Sequence, residues 1–399
     1  MTSERFGRRV SATLALFAAL AAPSFAHTME MKARPPIAVS VAFDEAGRLW
    51  RVRLVDGRLA VDRSDDRGAS FSVPQPVTAQ PEPVAAEGEL RPEIAVSGER
   101  VYVAWTSPLP ALYAGNVRFA RSLDAGRSFE APLTVNDNRD AITHRFQSMQ
   151  LAPGGRITLA WIDKRDVEQA RRAGQAYRGA AIYYAVSDDG GASFRPNVRL
   201  ASHSCECCRI ALAGDADGTP VAFWRHVFPD GARDHALARV APLAGEPARA
   251  TEEHWKVDAC PHHGPALAIA PDGTRHGAWF SQVGGEPGLF YRAWSADGKA
   301  LMPAVRMGDA SAAHPALLAL GRRVLLAWKA FDGERTVVDL AESGDGGRHW
   351  SAPRVVATAA QASDHPQLVA YRGEAWLSWA AEAEGYRLVA LPAGEAVRR

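Results

Sequence analysis

The octapeptide Ser64-Asp65-Asp66-Arg67-Gly68-Ala69-Ser70-Phe71 follows a pattern, Ser-x-Asp-x-Gly-x-x-Phe/Trp, that occurs four times in this chain of 399 residues. The other copies span Ser122–Phe129, Ser187–Phe194 and Ser343–Trp350, and a shorter relative spans Ser295–Gly298. The Asp carboxylate of such a segment accepts hydrogen bonds from the turn's own backbone, and Gly supplies the positive φ that a hairpin turn needs. A turn that recurs at wide, fairly even spacing indicates one supersecondary unit repeated along the chain.

The strands between these turns show the same repeat, because each unit contains a second strand that ends in Trp. These strands are Arg100–Trp105, Arg156–Trp161, Pro220–Trp224, Arg275–Trp279, Arg323–Trp328 and Glu374–Trp379. A unit of about 50 residues is typical of a four-stranded propeller blade. We therefore predict an all-β fold, a β-propeller of four-stranded antiparallel sheets joined by Asp-box turns. Seven blades are favoured, and six are the alternative because the first unit, Ile37–Leu54, is divergent.

Two smaller features refine this prediction. The last unit ends at Tyr386–Leu391 without a fourth strand, and a segment near Met29–Arg34 would supply that strand and close the ring. Closure removes the exposed sheet edges that promote aggregation. Only Val167–Ala176 has a helical pattern, and we expect it to form a short helix inserted in one blade.

The N-terminus has the features of a secretory signal. Arg5, Arg8 and Arg9 precede an apolar stretch, Ser11–Ala22, that is too short to span a bilayer, and a small-x-small cleavage site ends at Ala26. We therefore predict a signal peptide over residues 1–26, a single propeller domain over residues 27–399, and a periplasmic or secreted mature protein. With a formal net charge of +1, the chain gives no electrostatic reason to expect nucleic acid or a membrane as partner. We expect a monomer that binds a small-molecule, metal or glycan ligand at the mouth of the channel.

The four cysteines lie in two short segments, Cys205-Glu206-Cys207-Cys208 and Cys260-Pro261-His262-His263. The first Cys of each segment lies 19 residues before the Trp that ends the next second strand, Trp224 or Trp279. From that Cys onward, both segments follow the same pattern, C-x-[C/H]-[C/H]. The same count in the other units gives one structural position, at the start of the first strand, occupied by Arg91, Arg145, Cys208, His263, His314 and His365. Because the first strands of a propeller line its channel, we expect these side chains to converge near the axis, as a binding or catalytic site requires.

The sequence leaves two interpretations of these residues open. Cysteines in an oxidising compartment commonly form disulfides, here between neighbouring blades, and a His-Pro pair can simply begin an inner strand. Thiolates combined with imidazoles instead suit copper or zinc. The predicted metal ligands are Cys205, Cys207, Cys208, Cys260, His144, His262, His263, His314 and His365. A disulfide and a site built from histidines alone can also coexist.

The octapeptides resemble the Asp-box (BNR) repeat of the sialidase (neuraminidase) superfamily, whose members are β-propellers, and the resemblance covers nearly the whole mature chain. In that family the boxes are structural turns away from the active site. The resemblance implies an arginine clamp for a carboxylate and an Asp acid/base, for which Arg91, Arg145 and Asp163 are the matching candidates, with Arg209 as a weaker third arginine. The family's Arg-Ile-Pro signature is not present before the first blade. The chain looks like a sialidase-like secreted bacterial protein with a Cys-x-Cys-Cys and Cys-Pro-x-x-Gly signature.

Three functions remain open on the sequence alone. The first is a metal-binding, copper- or zinc-handling protein with a Cys/His-lined axial site. The second is a sialidase-type glycoside hydrolase or a glycan-binding module, so that any enzymatic activity would be of the glycosidase kind. The third is an interaction scaffold with structural disulfides.

Overall fold

The structure is a computed structural model that describes residues 36–243 and 245–393, and within these ranges the chain forms a β-propeller of seven blades. Blades 1 to 4 contain β1 (Ser40–Phe43), β2 (Leu49–Val55), β3 (Arg58–Ser64), β4 (Gln75–Pro76); β5 (Glu93–Ser97), β6 (Arg100–Pro108), β7 (Gly115–Ser122), β8 (Leu133–Thr134); β9 (His144–Leu151), β10 (Ile157–Asp163), β11 (Ala180–Ser187), β12 (Val198–Ser204); and β13 (Ala211–Gly214), β14 (Pro220–Arg225), β15 (His235–Arg239). Blades 5 to 7 contain β16 (Ala266–Ile269), β17 (Arg275–Val283), β18 (Glu286–Trp294), β19 (Val305–Met307); β20 (Ala313–Leu320), β21 (Arg323–Phe331), β22 (Thr336–Ser343), β23 (Arg354–Ala359); and β24 (Gln367–Tyr371), β25 (Glu374–Ala381), β26 (Gly385–Leu391).

The predicted seven-bladed, all-β fold is confirmed, and its strands pair antiparallel in chain order within each blade. Five blades have four strands, whereas blades 4 and 7 have three strands each in the described part of the chain. The predicted signal peptide and the predicted closing strand near Met29–Arg34 lie outside the described residues. Blade 7 nevertheless meets blade 1, because the Val39 and Val41 amides donate to the side chains of Asp364 and Gln367, both at 3.0 Å.

The core lies between neighbouring blades, and the tryptophans of the second strands form much of it. Trp105, Trp161, Trp224, Trp279 and Trp328 are all at most 1% exposed. Trp161, for example, packs among side chains from blades 2 and 3. Burying one such ring at about 25 cal/mol per Å² contributes on the order of 5 kcal/mol, so each tryptophan holds two blades in register.

The Asp boxes form the connections between third and fourth strands. In one of them Asp124 Oδ1 accepts from the Ser128 amide at 2.9 Å and from the Ser122 hydroxyl at 2.7 Å. Gly126 has φ +73°, and a Cβ there would come within 2.8 Å of the Trp50 ring, so the position needs glycine. The boxes therefore lie at one end of the blades, and the connections from one blade to the next lie at the opposite end.

Two helical segments are found at that opposite end. The helix α1 (Arg165–Arg172) follows β10, close to the predicted insertion, and a 3₁₀ turn at Gly88–Leu90 precedes β5. Among the described residues, no helix has both the length and the hydropathy to cross a membrane.

A cavity of about 290 Å³ lies along the axis and is lined by first-strand residues of all seven blades, which confirms that these strands line the channel.

Candidate metal centre

Both cysteine segments belong to connections between blades at the end away from the Asp boxes. Cys205–Cys208 joins β12 to β13, and Cys260–His263 precedes β16. The first segment is a tight turn at the end of β12, and the Cys205 amide donates to the Arg225 carbonyl at 2.9 Å. This turn is short enough to direct three side chains of four consecutive residues toward one point.

The three thiols of this turn lie in mutual contact and are almost inaccessible. Cys205 Sγ is 3.8 Å from Cys207 Sγ and 3.5 Å from Cys208 Sγ, and the three residues are at most 5% exposed. Exposed Cys260 and His262 approach the same cluster, since Cys207, Cys260 and His262 offer ligand atoms that all lie within 4.8 Å of one another. We call these five residues the thiolate cluster.

The predicted disulfide between blades is not formed in the described residues, where all four cysteines are free. The sulfur separations of 3.5 Å and 3.8 Å within the turn are well beyond the bond length of about 2.05 Å. They match instead the edge of a metal-centred tetrahedron, which measures about 3.8 Å for metal–sulfur bonds of about 2.3 Å. The two segments therefore meet through unbonded thiols at the spacing of metal ligands.

The pKa values of the three thiols are displaced in opposite directions. Hydrogen bonds from Cys207 and Cys208 hold the pKa of Cys205 well below its usual value against the opposing effect of burial, and the Arg225 guanidinium assists. The same contacts, together with burial, raise the pKa values of Cys207 and Cys208. The Arg233 guanidinium also donates to Cys205 Sγ at 3.5 Å. Cys205 is therefore the most acidic thiol of the turn and the first that a cation would deprotonate.

A second group of side chains, which we call the imidazole–carboxylate cluster, consists of Glu89, His263, His314 and His365. Glu89 Oε1 lies 3.2 Å from His314 Nδ1 and 3.4 Å from His365 Nδ1. The rings of His314 and His365 stack with centroids 3.7 Å apart, and His263 lies 4.6 Å from His314. The structure therefore divides the predicted ring of ligands into two clusters, with His262 in one and His263 in the other.

The other predicted ligand, His144, belongs to neither cluster. It is fully buried, with Nδ1 2.9 Å from the Gly115 carbonyl and Nε2 3.2 Å from Asn138 Oδ1. These contacts connect blades 2 and 3, because His144 begins β9 and Gly115 begins β7. Its register position is shared with His262, but the blade insertion around it gives the imidazole different partners.

The predicted catalytic residues are engaged by different partners. Arg91 donates to Asp364 at 2.9 Å and to the His365 carbonyl at 2.7 Å. Asp163 is fully buried and accepts from the Trp161 indole and from Arg165. Arg145 lies over the ring of Phe146, and within the described residues its Nε has no hydrogen-bond partner. Arg91 Nε also has no hydrogen-bond partner there, but the NH2 group of Arg91 is engaged by Asp364 and the His365 carbonyl.

Glu89 is the functional candidate that the sequence analysis missed. It lies on the 3₁₀ turn before β5, is 9% exposed, and reaches the axis from the connection between blades 1 and 2. The only signal in the sequence is its position two residues before Arg91 in the common register. An isolated Glu in a connection has no motif, so only the folded chain shows that it meets two histidines more than 200 residues away.

No family model matches the chain, and no curated protein matches it. The PL25 ulvan lyase, a polysaccharide lyase solved with a GlcA–Rha3S ligand, superposes with a TM-score of 0.54 at 10% identity, over 89% of this chain and 93% of that chain. The α-L-arabinanase of Penicillium chrysogenum with arabinobiose gives a TM-score of 0.50 at 13% identity, over 89% and 92%. The polysaccharide lyase Uly1 gives 0.50 at 10%, over 90% of each chain. These likenesses support the β-propeller fold and do not extend to the sialidase assignment.

Proposed function

We propose that this chain is a secreted metal-binding propeller whose thiolate cluster binds a soft d¹⁰ cation, Cu(I) or Zn²⁺. The observation that carries the proposal is the convergence of three buried, unbonded sulfurs at 3.5–3.8 Å with a second segment on the next blade. Thiolates and imidazoles are the ligands that these two cations prefer. Three buried donors and one exposed donor make a four-coordinate site.

The distribution of exposure indicates how the cation enters. Cys205, Cys207 and Cys208 are buried, so water cannot compete there and bonds to sulfur are strong. Cys260 and His262 are exposed and lie on the solvent side of Cys207. A cation delivered at the surface would first meet this exposed pair and then pass to the buried sulfurs. This order would suit a protein that receives or delivers metal.

The test is elemental analysis and competitive titration of the reduced, full chain with Cu(I) and with Zn²⁺. Cys207→Ser removes the one sulfur that belongs both to the buried group of three cysteines and to the group with Cys260 and His262. Glu206→Gln is the matched control, because Glu206 lies within the same turn but forms an ion pair with Lys164. We expect one cation bound at the thiolate cluster and a loss of its affinity of more than about 100-fold in Cys207→Ser alone. Absence of bound metal, or equal losses in the two variants, would refute the proposal.

A second candidate function is binding or cleavage of an acidic glycan at the same end of the propeller. Arg145 lies 6.0 Å from the ring of Tyr113, which is 61% exposed, so a cation and an aromatic surface are adjacent there. This combination suits a sugar carboxylate. A sialidase-type clamp would also need Arg91 and Arg209, whose guanidinium groups are engaged by Asp364 and the Pro315 carbonyl.

The glycan candidate is tested by assaying the chain on a fluorogenic sialoside and on uronate-containing polysaccharides. Arg145→Ala is compared with Arg127→Ala, which lies on an Asp box at the other end of the blade. Turnover or binding that Arg145→Ala alone abolishes would establish this function. No turnover and no binding in the unaltered chain would remove it.

A further inference from the structure

We propose that the imidazole–carboxylate cluster is a second metal site, which binds a divalent first-row cation through Glu89, His314 and His365, whose ligand atoms all lie within 4.8 Å of one another. This goes beyond the proposed function because it needs none of the cysteines. Glu89, His263 and His365 lie in the connections before blades 2, 5 and 7, and His314 lies near the start of β20 in blade 6. Sequence-distant residues have therefore been brought to one point on the axis.

The hydrogen bonds of Glu89 fix one carboxylate oxygen and leave the other facing the histidines. Its Oε2 accepts from the backbone amides of Arg209 at 3.2 Å and Gly264 at 2.9 Å. Its Oε1 accepts a hydrogen bond from His314 Nδ1 at 3.2 Å and lies 3.4 Å from His365 Nδ1 and 3.6 Å from the Arg209 guanidinium. Burial opposes ionisation, but Arg209 and His314 outweigh it and lower the pKa of Glu89 to about 2. The ionised carboxylate therefore keeps a lone pair on Oε1 for a cation.

The histidines face this carboxylate through the same ring atom. The Nδ1 atoms of His314 and His365 lie 3.2 Å and 3.4 Å from Glu89 Oε1, so a cation bound there replaces the proton that His314 shares with the carboxylate. The rings of the two histidines stack with centroids 3.7 Å apart. Gly88 makes room for His365, because a Cβ at Gly88 would collide with that ring. One carboxylate oxygen and two imidazole nitrogens therefore meet at one point, as a zinc or copper site requires.

Burial also keeps the histidines in the form that binds metal. It lowers the pKa values of His314 and His365, and it lowers that of His263 to about 3. His365 Nδ1 is buried and, in the described part of the chain, has no hydrogen-bond partner. A buried polar nitrogen without a partner is costly, and a cation held by the cluster would remove that cost. Nitrogen donors favour borderline divalent cations such as Cu²⁺ and Zn²⁺.

The experiment uses the full chain with all four cysteines replaced by serine, and Cu²⁺ as the probe. We expect one equivalent of Cu²⁺ with nitrogen hyperfine coupling in its electron paramagnetic resonance spectrum. His314→Phe keeps an aromatic ring in the stack and should abolish this signal. His349→Phe is the control, because His349 lies on an Asp box and contacts Asp345. A variant without cysteines that binds no Cu²⁺, or equal losses in both His variants, would overturn the second site.

Glu89→Gln tests the role of the carboxylate as a ligand. Its amide carries no charge and is a weaker ligand, so we expect the affinity of the site to fall by about 10–100-fold. An unchanged affinity would refute that role. If the variant without cysteines fails to fold, Zn²⁺ stoichiometry of the unaltered chain gives the same answer, since two ions per chain should fall to one in His314→Phe. If the thiolate cluster alone binds no metal, the missing ion is the one that Cys207→Ser would otherwise remove.

Discussion

Replacing Glu93 by Gln should stabilise the protein, and the gain should depend on pH. Glu93 lies in β5, where its carboxylate accepts from the Met149 amide at 2.6 Å and approaches the Ser148 hydroxyl at 3.4 Å. It lines the axial cavity rather than the outer surface. Burial raises the pKa of Glu93 to about 7, and the hydrogen bond from Met149 and the charge of Arg91 reverse this only in part.

The magnitude follows from the displaced pKa. Because the folded pKa lies above the unfolded value of 4.5, the contribution of Glu93 is fully present below about pH 4.5 and is lost as pH rises through about 7. A displacement of this size corresponds to about 3 kcal/mol at most, and screening by water in the cavity reduces it to about 1–3 kcal/mol. Gln keeps an acceptor for the Met149 amide and carries no charge.

The assay is urea unfolding of the metal-free chain at several pH values between about 4.5 and 8. We expect Glu93→Gln to raise the free energy of unfolding by about 1–3 kcal/mol near pH 8 and by almost nothing near pH 4.5. Glu89→Gln is the internal control with the opposite sign, because the pKa of Glu89 is lowered to about 2 and its charge stabilises the fold above about pH 4.5. A gain for Glu93→Gln that is flat with pH would refute the reasoning.

Two further predictions concern the Asp box and the thiolate cluster. A Cβ at Gly347 would collide with the Tyr291 hydroxyl, whereas Gly346, also at positive φ, has open space around it. Gly346→Ala should therefore cost about 1–2 kcal/mol of backbone strain, and Gly347→Ala about 1–3 kcal/mol more, by the same urea unfolding measurement; equal losses would contradict the packing. In reduced, metal-free protein, hydrogen bonds from its neighbours lower the pKa of Cys205. In a pH titration, the rise in ultraviolet thiolate absorption at the lowest pH should be lost in Cys205→Ser and persist in Cys260→Ser, and persistence in both would contradict the assignment.

The fold could be predicted because its signals are local and repeated. Each Asp box is satisfied by hydrogen bonds within its own turn, as Asp124 shows, so its sequence pattern survives in every copy. The tryptophans of the second strands then set a register for six blades, while the divergent first unit, Ile37–Leu54, left the choice between six and seven blades open. The strand count of blade 4 was not predictable, because the segment after β15 has only an isolated bridge, between Ala236 and Arg249, in place of a fourth strand.

The site was predictable only in part, because convergence depends on loop shape as well as register. Cys208 and His263 occupy one register position, yet they belong to different clusters, since the turn at Cys205–Cys208 directs its thiols toward each other. His144 shares the register of His262 but contacts Gly115 and Asn138 instead. Register places a residue at the correct end of a blade, while the path of each connection decides which neighbours it meets.

The central claim, a metal held by the thiolate cluster, is tested most directly by X-ray absorption at the zinc edge. The sample is the reduced full chain of the His314→Phe variant carrying one equivalent of Zn²⁺, so that only the thiolate cluster remains to bind it. We predict at least three sulfur neighbours at about 2.3 Å, supplied by Cys205, Cys207 and Cys208. A spectrum with only nitrogen and oxygen neighbours at about 2.0–2.1 Å, or a protein that retains no zinc, would contradict the account.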